Sequence, residues 1–80
     1  MDRKLDYKAF YDDIVAWIAD VNMAVMRAGP DSSEFWIWIA DSSGFICRKY
    51  NDNRLVVKQM VMLVEWMEEV FEQRKNKGAN

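Results

Sequence analysis

The sequence predicts an α+β domain of order α-β-β-α, with two long amphipathic helices packed on one antiparallel β-hairpin. Three observations lead there. Apolar residues recur at helical spacing over two stretches, one on each side of a segment rich in aromatic and β-branched residues. That middle segment is broken by Asp41-Ser42-Ser43-Gly44, a turn-forming sequence. And 80 residues allow only one core, so 1–80 reads as a single domain with frayed ends at 1–4 and 76–80.

From Asp6 to Ala28, Phe10, Ile14, Trp17, Val21, Ala24 and Ala28 step by four and three, flanked by Tyr11, Val15, Ile18 and Val25. This is a wide apolar stripe. Asp6, Asp13, Asp20 and Arg27 recur every seven residues on another side. Asp2 or Asp6 suits the N-cap, and Gly29-Pro30 is a strong stop, because glycine tolerates a left-handed cap and proline cannot continue the helix.

After Asp31-Ser32-Ser33, residues 34–40 and 45–50 read as two strands around a type I turn with a bulge at Gly44. Alternation then places Phe35, Ile37 and Ile39 on one face and Trp36, Trp38 and Ala40 on the other. Across the hairpin the second face pairs Ala40 with Ile46, Trp38 with Arg48 and Trp36 with Tyr50. Asn51-Asp52-Asn53 offers three N-caps for a second helix from Leu55 to Arg74, with its core stripe on Val57, Met60, Val64, Met67 and Phe71. Arg74, Lys75 and Lys77 suit that helix's C-terminal dipole.

The hairpin's aromatic face is the first candidate site. Trp36, Trp38, Arg48 and Tyr50 set a guanidinium among rings, an arrangement for cation–π contacts with a protein partner. A two-stranded sheet is marginal alone and leaves its edges unpaired, so the domain is expected to be completed by homodimerisation. Leu55, Met62 and Trp66 lie off the second helix's core stripe and form a secondary partner-binding strip. Asp6, Asp13 and Asp20, with Glu65, Glu68 and Glu72, form acidic ridges that suit a basic protein surface.

Composition excludes most catalysis. There is no histidine, hence no imidazole base, no Ser-His or Cys-His nucleophile pair and no imidazole metal ligand. Asp12 and Asp13 are adjacent and do not face one another on a helix, Ser42-Ser43-Gly44 lacks a base, and the glutamates lack accompanying ligands. No catalytic residue, metal or cofactor is assigned. The lone Cys47 makes no internal disulfide, and no apolar run approaches the ~18 residues of a membrane span, so a cytoplasmic protein without a signal peptide is expected.

The resulting reading is a non-catalytic intracellular protein–protein interaction module. It would be a small binder or inhibitor, of the kind that phages and mobile elements direct against host or defence proteins. The alternative is single-stranded nucleic-acid binding, with Trp36, Trp38 and Tyr50 as stacking platforms beside Arg48, Lys49, Arg54 and Lys58. A net charge of −2 and the acidic ridges disfavour that partner.

Overall fold

The first helix begins where the chain supplies its own cap. In the computed structural model, which describes residues 5–79 and side chains as far as Glu72, the Asp6 carboxylate accepts the Ala9 N–H at 3.0 Å and starts α1 (Tyr7–Ala28). Leu5 and Phe10 flank this cap at the positions of a hydrophobic staple, and both are buried. Phe10, Ile14, Trp17, Val21 and Ala24 then carry the apolar stripe into the core. The helix ends at Gly29, whose φ of 87° few side chains tolerate and whose N–H reaches the Val25 carbonyl at 2.9 Å.

The middle segment is not a hairpin. Residues 33–49 form one helix, α2 (Ser33–Lys49), capped by Ser32, and no strand occurs among the described residues. The expected α+β class, with its strands at 34–40 and 45–50, its turn at Asp41–Gly44 and its cross-strand pairs, is therefore corrected to an all-helical fold. The physical reason lies in a second period within the same residues. Phe35, Ile39 and Ile46 repeat at helical spacing, and all three are buried in the core shared with α1 and α3. Local strand preference is worth little against the burial of such a stripe. The turn-like residues are accommodated inside the helix: the Ser42 and Ser43 hydroxyls bond back to the carbonyls of Ile39 (3.3 Å) and Ala40 (3.2 Å). Ser42 also accepts the Trp17 indole N–H at 2.8 Å, a polar bond between α1 and α2 beside the core.

A Schellman motif closes α2. The Asp52 N–H reaches the Cys47 carbonyl at 2.8 Å and the Asn51 N–H reaches that of Arg48 at 3.0 Å. Asn51 and Asp52 both take left-handed backbone, with φ of 58° and 54°, a conformation that Asn and Asp enter more readily than most residues. Of the three candidate caps, Asn53 is the one used: its side-chain oxygen accepts the Leu55 N–H at 2.9 Å and begins α3 (Arg54–Ala79). Of the ends where the sequence places fraying, 1–4 and 76–80, residues 1–4 and Asn80 lie outside the described residues, whereas 76–79 continue α3 as helix.

Short connections make α1, α2 and α3 run up, down and up. Val56, Met60, Met67 and Phe71 of α3 complete a single core with the stripes of α1 and α2. At one end Phe71 meets Phe35 and Trp36 edge-on, with ring centres 5.5 and 6.1 Å apart. The other end is held by Tyr50, edge-on to Phe10 at 5.4 Å. α2 lies closely against both neighbours, whereas α1 and α3 approach one another much less.

Gly44 tests this fold. In a bulged turn it would need the left-handed conformation, but within α2 it costs about 1 kcal/mol relative to alanine. A Cβ there would meet only Nη1 of Arg48 at 3.2 Å, the tip of an exposed, flexible side chain. Gly44→Ala is expected to raise stability by about 0.5–1 kcal/mol in urea unfolding. A loss of stability instead would restore the turn.

Candidate functional site

Helical geometry separates the four residues of the expected strand face. Successive positions differ by about 100° around a helix, so Trp36 and Trp38 point to opposite sides of α2. Trp36 turns toward α3, its indole N–H donating to the Pro30 carbonyl at 2.8 Å and its ring against Phe71. Tyr50 closes the far end of the bundle. Arg48 is exposed on the outer side of α2. Trp36, Trp38, Arg48 and Tyr50 share no surface, and the hairpin edges that called for a dimer do not exist.

Trp38 instead looks into the seam between α1 and α2. An open groove of about 330 Å³ runs along this seam, with Trp38 and Phe45 from α2, Asp20 and Ala16 from α1, and Trp17 and Ser42 beneath. The ring of Trp38 also borders a second depression, of about 290 Å³, that holds Arg27 and Glu34. Trp17 and Trp36 use their indole N–H groups to hold the fold, but among the described residues that of Trp38 has no acceptor within the chain. Phe45, which sequence reasoning left in a strand, is 63% exposed.

Asp13 closes one end of this groove. Its Oδ2 accepts from the Tyr50 hydroxyl at 2.6 Å and from Lys49 Nζ at 2.9 Å. The Tyr50 hydrogen bond, then Lys49, holds its carboxyl below the usual carboxylate value. Burial, followed by the bond to Asp13, pushes the Tyr50 phenol up to about 12. The Lys49 pair is half exposed and adds little to stability. So Asp6, Asp13 and Asp20 are not one solvated ridge: the first is a cap, the second is tied to α2 and the third rims the groove.

The glutamates lie along the seam between α2 and α3. Glu65 and Glu68 face Ala40, Gly44 and Cys47 across an open groove of about 440 Å³. Glu68 and Glu72 stand beside Pro30 and Trp36. Burial, with Asp52 nearby, pushes the Cys47 thiol up and away from nucleophilic chemistry. Among the described residues no three carboxylates or thiols converge as a metal site, and no helix is long and apolar enough to cross a membrane.

The third side, between α1 and α3, is the most loosely packed and mixes exposed apolar side chains with the exposed polar Asn22 and Glu69. The flank of α3 turned away from α2 carries Leu55, Met62 and Trp66, the secondary strip read from the sequence. Leu55 is half-buried, while Met62 and Trp66 remain 51% and 52% exposed. The matching flank of α1 adds Tyr11, Val15 and Met26, the latter two 70% and 83% exposed. Sequence reasoning placed Tyr11 and Val15 beside the core stripe; the missed signal was a stripe too wide for one helix to bury. Compared with protein-family models, curated proteins and solved structures, the chain gives no match.

The Asp13–Tyr50 bond has a pH signature. Tyr50, raised from 10.0 to about 12, contributes stability that is full below pH 10 and is lost as pH rises to about 12. Asp13, lowered from 3.8, contributes stability that is full above that value and is lost as pH falls through its lowered one. Spectrophotometric titration should show one phenol near 12 that Tyr50→Phe removes, and Tyr50→Phe should flatten the alkaline loss of stability. The absence of any phenol titrating near 12 would refute the bond.

Proposed function

We propose that the chain is a protein-binding module that takes a basic segment of another protein into the seam between α1 and α2. One observation carries this reading: Trp38 is partly exposed between Phe45 and Asp20, and among the described residues its N–H has no acceptor. Aromatic faces beside a carboxylate attract an arginine or lysine side chain, and a free indole N–H can receive a carbonyl of the same peptide. Trp38, Asp13 and Asp20, assigned to separate sites in the sequence, border one groove here.

Binding rather than catalysis is supported by what the reactive groups do. Asp13 is held ionised by two donors within the fold, and the Cys47 thiol is disfavoured as a thiolate. A small acidic chain that occupies a basic site on its target acts as a binder or inhibitor, and a cytoplasmic setting fits a chain whose single cysteine needs no oxidising compartment. Stacking on single-stranded nucleic acid finds less support, because the three rings that would form its platform stand on different sides of the bundle.

Fluorescence anisotropy of a labelled arginine-glycine peptide tests the reading. Binding is expected to saturate and to weaken roughly fivefold, about 1 kcal/mol, in each of Trp38→Ala and Asp20→Asn. A glutamate-glycine peptide should not bind. Equal binding by Trp38→Ala would reject the seam as the site, and tighter binding of a labelled single-stranded oligonucleotide would favour the other partner.

A further inference from the structure

We infer that the segment selected by the α1–α2 seam is a polyproline-II stretch with a basic and an acidic side chain three residues apart, an assignment that rests on that seam being the site of a basic segment. Trp38 stands between two depressions, one rimmed by Asp20 and the other by Arg27. Asp20 and Arg27 are seven residues apart on α1, two turns along one face and about 10.5 Å in rise. Both are exposed, and among the described residues neither side chain makes an ion pair or a hydrogen bond. The trough therefore presents in order an unpaired carboxylate, an indole whose N–H has no acceptor among the described residues, and an unpaired guanidinium.

That order selects the occupant. In a polyproline-II helix, residues three apart lie on one edge about 9 Å from each other, close to the spacing of Asp20 and Arg27. A strand would turn the same two side chains to opposite faces. An α-helix matches the spacing at seven residues but spends its carbonyls on itself, leaving none for the Trp38 N–H. Polyproline-II backbone keeps every carbonyl free, and grooves lined by aromatic rings take it readily; Trp38 and Phe45, two turns apart on α2, supply such rings. At the far end the planar Arg27 guanidinium fits a carboxylate. Glu34 borders the same depression without pairing with Arg27, and its place in the first turn of α2 suits the positive end of that helix. A wholly basic segment would meet Arg27 as a like charge, so an acidic residue at that position turns repulsion into attraction.

Labelled peptides in which arginine and glutamate flank two prolines, made in both orders and each compared with its glutamine version, test this by fluorescence anisotropy on the full chain. In one order the glutamate peptide is expected to bind roughly threefold tighter than its glutamine version. Arg27→Gln should abolish that difference, and Glu34→Gln, which removes the competing carboxylate, should enlarge it. Trp38→Ala should weaken both versions. Glycines in place of the two prolines should also weaken binding, because the free peptide then loses its pre-ordered backbone. Equal binding of the glutamate and glutamine versions in both orders overturns the inference while leaving a basic segment in the seam. So does a difference that survives Arg27→Gln, a difference that shrinks in Glu34→Gln, or equal affinity for the glycine peptides. If no peptide binds, or if Trp38→Ala binds them all unchanged, the seam itself is rejected as the site.

Discussion

The molecule depends on α2 remaining helical through a stretch whose residues individually favour other conformations. Two faces of α2 are packed, one against α1 and one against α3, while α1 and α3 meet each other only lightly. Phe35, Ile39 and Ile46 reach the core together only at a period near 3.6. As a hairpin the same segment would put Ile46 on the face opposite Phe35 and Ile39, leaving half of its rings without cover and its edges unpaired. The helix instead satisfies its own backbone and places Ser42 where it accepts the indole N–H of Trp17, so that a nearly buried tryptophan introduces no orphan donor.

That one choice distributes the tryptophans. Trp17 bonds across to α2, Trp36 bonds to Pro30 and packs on Phe71, and each fixes a joint between elements. Trp38 and Trp66 fix none, because their positions around the helices direct them to the seam and to the open side. A strand would have placed Trp36 and Trp38 side by side, and their shared surface would have been the natural binding face. Placed 200° apart on a helix, they divide into a structural residue and a candidate contact.

How far the sequence could be read follows from how many periods each segment supports. α1 has a single one: from Asp6 to Gly29 its cap, stripe and stop agree, and the helix lies where those signals put it. α3 follows most of its stripe, with Asn53 as cap, but Val56 takes the core position expected of Val57 and the helix runs to Ala79, beyond the expected end at Arg74. In 33–49, alternation and the helical repeat coexist, since Phe35 and Ile39 are separated by four, a spacing that both periods satisfy. Only Ile46 separates them, and the Asp-Ser-Ser-Gly sequence conceals it by imitating a turn. No local signal shows that Ser42 and Ser43 will bond to the preceding turn, or that a glycine will be tolerated there for the sake of burial elsewhere. The strip of Leu55, Met62 and Trp66 was legible because it depends on the period of α3 alone. The seam was not, because it joins Asp20 and Trp38 from helices whose pairing the sequence did not reveal.

The surplus of apolar residues has a geometric origin. Three helices around one core bury about one stripe each, and here that row takes Phe10, Ile14, Trp17 and Val21 from α1 and Val56, Met60, Met67 and Phe71 from α3. Apolar residues well off these stripes must surface, so exposure by itself carries no meaning. Its distribution does. Glutamates rim the α2–α3 seam, an aspartate and aromatic rings the α1–α2 seam, and the side between α1 and α3 is left to Tyr11, Val15, Met26, Met62 and Trp66. The α1–α2 seam is the side where a carboxylate and partly exposed rings stand together, the combination that holding a cation requires.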